Sequence, residues 1–190
     1  MNKYWNHFKT ITKHKLIVMQ LCFKCGLYKR GLLHDLSKYG LTEFVSSAKY
    51  FQGDKSPIDA EKIDKGYSIA WQHHKGHNPH HWEYWTDFNS ATPNGDGTFT
   101  IICKCVKMPY DRVIEMFCDF VGAGKVYTKD AWTVKTPLDY WNKNCEGQRA
   151  MHPDSEKLIK KLLTTLSEKE SLDEFIAWYN LNKEKLQKNY

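Results

Sequence analysis

Five of the nine histidines fall within the ten residues His73-His74-Lys75-Gly76-His77-Asn78-Pro79-His80-His81-Trp82. Neutral imidazole is the commonest protein ligand for transition metals, and two imidazoles one helical turn apart reach a single ion. His73 and His77 have that spacing. A solvated polar loop between aromatic neighbours is the other account of such a stretch. A second concentration of chemistry lies at Leu32-Leu33-His34-Asp35-Leu36-Ser37-Lys38, where a His-Asp pair is set among leucines. An imidazole and a carboxylate buried together are costly without compensation, so this pair calls for a metal or a hydrogen-bonded network. His14 and the carboxylates Asp111, Glu115 and Asp119, spaced four apart, complete the candidates. Three carboxylates in such a row repel unless something positive faces them; a solvated acidic helix face is the alternative.

The elements that must position these groups read as helices. From Tyr4 to Leu27 apolar residues recur at helical spacing through Phe8, Ile11, Val18, Leu21, Cys22 and Cys25, and His7 and His14 lie on the same stripe. A single histidine on an apolar face is ordinarily a satisfied core residue, so His14 gains significance only from His34-Asp35. Leu41 to Phe51 is expected to be helical with Thr42 as a cap, and Ile58 to Lys75 a further helix with Ile63, Tyr67, Ala70, Trp71 and His74 on one face. Gly76 and Asn78-Pro79 then break that helix and deliver His80, His81 and Trp82 on a turn or a new short helix.

Between residues 86 and 106 the pattern changes. Asn94-Gly95-Asp96-Gly97 followed by the β-branched run Thr98 to Cys103 predicts a hairpin inserted in an otherwise helical protein. Pro109 opens a helix running to about Lys125, with Val113, Ile114, Phe117, Phe120 and Val121 facing a core. Thr128 to Gln148 reads as irregular, a helix follows His152-Pro153, and Ser171 with Glu174 forms a capping box for the last one. The expected fold is mostly α, a single helical domain over residues 1–190 with a small β-hairpin.

Composition sets the outer bounds. At 190 residues, 41% apolar and 26% charged, the chain can bury one ordinary core. Its net charge of +6 favours anionic partners, but the lysines are scattered, so a nucleic-acid groove is not favoured over a basic surface or a site for a small phosphorylated ligand. Six cysteines without zinc-ribbon spacing read as reduced thiols of a cytoplasmic protein, and the short apolar run Leu16 to Phe23, interrupted by Gln20, reads as a core helix, not a signal peptide or membrane span. No G-x-S-x-G, P-loop or dinucleotide-binding glycine motif is present, which excludes those routes to nucleophilic or nucleotide chemistry.

Taken in order, His14, His34-Asp35, the histidines from 73 to 81, and Asp119 on a late helix resemble the HD superfamily of metal-dependent phosphohydrolases, whose all-helical fold carries H, HD, further histidines and a final D. More narrowly, the stretches H-D-L-S-K-Y, A-W-Q-H-H-K-G-H-N-P-H-H-W-E-Y-W, E-M-F-C-D-F and M-H-P-D-S are similar to a small uncharacterised family of bacteria and their phages, over most of the chain. The later histidines sit closer together than in many two-metal HD proteins. The resemblance implies an HD-like helical bundle in which His14, His34, Asp35 and Asp119 hold a first ion and Asp35 bridges to a second. His73 or His74 is then the next ligand, with His77, His80, His81 and Glu115 as further candidates, and Glu83 or Glu115 orienting ligands.

This donor set suits one or two ions of Mn, Fe, Co, Ni or Zn. The implied chemistry is hydrolysis of a nucleotide or other small phosphate ester by a metal-activated water, with Asp35 and Lys38 as catalytic residues and Lys38 stabilising phosphoryl charge. Trp71, Trp82 and Tyr84 are candidate walls for a base. An HD-type di-iron oxygenase and a non-catalytic binding module with a structural metal are the competing readings.

Overall fold

In the computed structural model, which describes residues 2–144 and 150–190, nine α-helices and one two-stranded hairpin make up the fold. Cys145 and the last residues of the segment read as irregular, 145–148, lie outside the described residues. Helix α1 (Lys3–Lys24) packs on α6 (Tyr110–Thr128), and these two form the axis of the core. Val18, Leu21 and Cys22 of α1 meet Val113, Ile114, Phe117, Cys118 and Val121 of α6, all buried. Burying each large side chain contributes about 1.5–3 kcal/mol. The approach is close because Gly122 lacks a side chain: a Cβ there would stand 2.5 Å from Val18 Cγ2 and 3.6 Å from the His14 ring.

Helices α7 (Thr136–Asn144), α8 (Pro153–Ser167) and α9 (Leu172–Lys188) close the other side of that core with Trp141, a leucine-rich stripe from Leu158 to Leu166, and Phe175, whose ring stacks on Phe117 at 4.7 Å. α7 occupies part of the region expected to be irregular; Pro137 in its first turn costs no helical hydrogen bond, and Trp141 is anchored in the core. Ser171 caps α9 by accepting from Glu174 N–H at 3.2 Å, as the capping-box spacing predicts, whereas the Glu174 carboxylate accepts from the Glu170 N–H instead.

A second group of elements, α2 (Tyr28–Leu33), α3 (Leu41–Tyr50), α4 (Pro57–Lys65) and α5 (Ile69–His77), lies between α1 and the hairpin in sequence. The single helix expected over 58–75 is two. Gly66 ends α4 at φ +79°, and the Ser68 hydroxyl restarts the chain by accepting from Trp71 N–H at 3.0 Å. With the helix broken, Ile63 and Tyr67 fall on the surface, 82% and 54% exposed, outside the shared core face that one continuous helix gives them. Helix α5 continues through Gly76 and ends only at Asn78-Pro79. Gly40, not Thr42, caps α3.

Strands β1 (Thr86–Pro93) and β2 (Phe99–Cys105) pair antiparallel within the window expected for the hairpin, with a bulge between Phe88 and Ser90. Among the described residues the cysteines are unpaired, Cys22, Cys25 and Cys118 in the core and Cys103 and Cys105 on the hairpin. No helix among those residues is long and apolar enough to cross a membrane.

Candidate metal centre

His14 enters the site from the buried face of α1 and Asp119 from α6, opposite it, where Gly122 lets the two helices approach. His34 ends α2, and Asp35 follows at φ +55°, a left-handed conformation that Asp tolerates better than most residues. That kink turns the carboxylate inward and starts a 3₁₀ turn, Leu36–Tyr39, which brings Lys38 Nζ to 2.6 Å from Asp35 Oδ2. Lys38 therefore reaches back to Asp35 across a tight turn and does not lie one α-helical turn beyond His34. His74 sits on the buried face of α5, and the turn after Asn78 supplies His80 and His81.

Among the described residues two groups of donor atoms share Asp35, and a third, His34, His80 and Glu115, lies between them. On one side His14 Nε2 lies 3.4 Å from Asp35 Oδ2 and 2.9 Å from Asp119 Oδ1, with His34 Nε2 3.4 Å from Asp35 Oδ2 and 3.5 Å from Asp119 Oδ1. On the other, His74 Nε2 and His80 Nε2 lie 3.4 and 3.5 Å from Asp35 Oδ1, and His74 Nε2 lies 2.9 Å from His81 Nε2. Ligands about 2.1 Å from an ion stand about 3.0–3.4 Å from one another in octahedral or tetrahedral geometry. Both groups have that spacing, with all donors of each group within 4.8 Å.

These buried groupings of His, Asp and Glu can hold a metal ion. The fit rests on more than distance: Asp35 Oδ1 and His80 Nε2 are buried and make no hydrogen bond, a costly arrangement for polar atoms that an ion at their convergence relieves.

Carboxylates behind the rings fix their orientation. Glu115 Oε1 lies 3.2 Å from His34 Nδ1 and 3.4 Å from His80 Nδ1, and its other oxygen accepts from Arg112 at 2.9 Å. Glu43, on the first turn of α3, grips two neighbouring histidines, accepting from His73 Nδ1 at 2.6 Å and from His74 Nδ1 at 2.7 Å. For His34, His74 and His80 an Nδ1–H donated outward turns Nε2 toward the donor groups, the nitrogen a metal would take once its proton is displaced.

His73 and His77 stand apart from both groups. Their rings stack at 3.9 Å outside, His73 bound to Glu43 and His77 to the backbone carbonyl of His73. The acidic row on α6 meets positive or imidazole partners throughout: Asp111 pairs with Arg30 at 2.7 Å, Glu115 with Arg112 and the histidines, and Asp119 with His14.

Electrostatics follow from this crowding. Burial opposes ionisation of Asp35, but His34 and Lys38 outweigh it and hold the carboxyl well below its usual range; Asp119 is held down likewise by His14 and His34. Glu115 is brought to about 2 because hydrogen bonds from His34 and His80 overcome its burial. Burial, with His80 and His74 nearby, pushes His81 well below the ordinary imidazole range, so it is present as the neutral ligand form. His7, the other histidine on the α1 stripe, sits between Phe44 and Phe51, and burial with the Lys38 charge lowers it to about 4, a neutral core histidine.

A cavity of about 520 Å³ opens onto the donor groups. His14, His74, His81 and Asp119 contribute to its wall, as do Lys38, Lys55 and Lys62, and Trp71, Trp82 and Tyr127 supply aromatic surface; Tyr84 is exposed and takes no part. Glu43, Tyr127, Lys55 and Lys62 carry no distinguishing sequence signal. Glu43 in particular reads as an acid in the first turn of a helix, favoured by the helix dipole, and only the packing of α3 on α5 reveals its partners.

No curated protein and no solved structure matches the chain. A family model matches residues 3–165, a stretch that contains all the donor residues, their supporting carboxylates and Lys38, and the chain thus belongs to DUF5662, a family of unknown function.

Proposed function

We propose that this chain is a metal-dependent phosphohydrolase of HD type, acting on a nucleotide or other small phosphate ester. The observation that carries this reading is the buried Asp35 carboxylate, whose two oxygens face two different histidine groups beside a cavity lined by cations and aromatic rings. His14, His34, Asp35 and Asp119 form the first ligand set, and Asp35, His74, His80 and His81 the second. Ions bound there supply Lewis acidity toward a phosphoryl oxygen and acidify a water at neutral pH.

The protein's own groups do the rest. Lys38, held charged by Asp35 and Asp119 despite its partial burial, faces the cavity and binds a phosphoryl oxygen, where its attraction strengthens as the transition state gathers negative charge. Asp35 keeps the Lys38 ammonium in place through their ion pair. Trp71 and Trp82 offer flat apolar surface for the non-phosphate portion, and Lys62, whose ammonium lies 5.5 Å from the Trp71 ring centre, and Lys55 favour an anion at the mouth. Glu43 and Glu115 keep the imidazoles oriented.

Elemental analysis of untagged protein, with His34→Ala and Asp35→Asn variants, followed by a phosphate-ester and nucleotide screen in the metal found, tests the proposal. One or two equivalents of Mn, Fe, Co, Ni or Zn, lost in the variants together with phosphate release, is the expected result. Metal without hydrolysis of any phosphate ester overturns it, and oxygen consumption by an iron-loaded protein would transfer the site to oxygenase chemistry.

A further inference from the structure

The hairpin is amphipathic, and its apolar face is bare. Register pairs Phe88 with Cys103, Ala91 with Ile101 and Pro93 with Phe99 on one face, and Asp87 with Lys104, Ser90 with Ile102 and Thr92 with Thr100 on the other. The first face carries no charge, and all six of its residues are exposed, Phe88 by 61%, Phe99 by 57% and Ile101 by 58%. A lone two-stranded ribbon is at best marginally stable in water and needs further strands or an apolar surface against it. The helices do not provide one. From Asp87 to Lys104 every residue of the two strands is exposed.

We infer that this face is the interface for a second copy of the chain, two hairpins stacking apolar face to apolar face about a twofold axis. Three features select a second copy. A twofold axis brings a patch onto itself, which requires that it hold no net charge to repel its image, and this one holds none. The exposed apolar area, about 450 Å² per copy at roughly 150–250 Å² for each aromatic side chain, falls in the class of weak reversible interfaces below about 1,200 Å² in total. The tip, Asn94-Gly95-Asp96-Gly97, is polar and acidic, unlike a loop that enters a lipid surface. Stacking is also a better use of the face than edge pairing, since side-by-side hairpins leave the apolar side in water. Two sheets packed about 10 Å apart bury it.

Sedimentation of the full chain between about 1 and 200 µM tests this, a range suited to a weak, reversible interface. The wild type is expected to pass from monomer to dimer across that range. Ile101→Lys should raise the dissociation constant at least about tenfold, since it sets a charge in the apolar centre of the interface. Ile102→Lys is the control, being the adjacent residue, 55% exposed but on the polar face, and it should dimerise like the wild type. Unchanged far-ultraviolet circular dichroism of both variants keeps the comparison valid. A wild type monomeric at 200 µM overturns the inference, as does equal weakening by both variants, which would place the contact on a strand edge. Flotation with anionic vesicles that is lost in Ile101→Lys would assign the face to membrane and overturn it too.

Discussion

Glu43→Gln is the substitution that most directly probes how the centre is built. The Glu43 carboxylate is buried and accepts from His73 Nδ1 at 2.6 Å and His74 Nδ1 at 2.7 Å. A glutamine of the same shape keeps one acceptor oxygen and presents an amide donor to the other ring. One histidine must then turn over its tautomer or lose its partner, and a hydrogen bond to a charged group is worth about 1.5–3 kcal/mol. If His74 is the ring that shifts, its Nε2 becomes protonated and points a hydrogen at Asp35. Loss of a supporting carboxylate of this kind weakens metal binding about 10–100-fold, or about 1.4–2.8 kcal/mol.

The effect should be confined to the group containing His74, His80 and His81, because Glu43 touches neither His14 nor His34. Calorimetric titration of metal-free protein with Mn²⁺ or Co²⁺ should show one class of site weakened and the other unchanged, and the Co²⁺ visible spectrum of the weakened site should shift. His73→Ala is the companion, and should leave both classes intact, since His73 belongs to neither group. Identical isotherms and spectra for wild type and Glu43→Gln would refute the assignment of Glu43 as a positioning residue; equal weakening of both classes would show a general loss of structure instead.

Lys38→Ala should retain its metal while turnover of a phosphate ester falls about 10²–10³-fold, measured as phosphate release beside elemental analysis. Gly122→Ala places a Cβ 2.5 Å from Val18 Cγ2, and since the β-branched valine is stiff, α1 and α6 must separate. We expect about 1–3 kcal/mol of destabilisation in urea unfolding, with weaker metal binding because His14 and Asp119 move apart.

Glu61, away from the centre, accepts from Ser46 and Ser68 at 2.6 Å and Lys65 at 3.0 Å, and these bonds outweigh burial to bring its carboxyl from 4.5 to about 2. The folded value is the lower one, so the stabilisation is complete above the unfolded value near 4.5 and is lost as pH falls toward 2. Glu61→Gln should therefore be less stable by roughly 2–3 kcal/mol at pH 7, and the difference should shrink steadily between pH 4.5 and 2 when unfolding is followed at each pH.

The sequence by itself determined the helical frame and the hairpin, because both rest on local order. The 3.6-residue stripe of α1 and α6 and the Asn-Gly-Asp-Gly turn are written in neighbouring residues, and each side chain on a stripe shares one environment. His34-Asp35 was legible for a related reason: an ionisable pair among leucines is a local anomaly that demands compensation. The break at Gly66 was less legible, since the apolar residues on either side of residues 66–68 happen to keep helical spacing in the sequence although Ile63 and Tyr67 do not share a buried face.

Only the tertiary structure decided which members of the histidine cluster converge. His73 and His74 are adjacent in sequence, yet they point about 100° apart around α5, and the packing of α3 and the Asp35 kink against that helix selects His74 for the interior. The turn after Asn78-Pro79 then folds His80 and His81 back beside it, while His77, one turn beyond His73, stays in solvent. Glu43 lies thirty residues from its partners and bears no motif, so its role exists only once α3 and α5 are side by side. Sequence spacing states which residues can reach one another along an element, and convergence from separate elements is a property of how those elements pack.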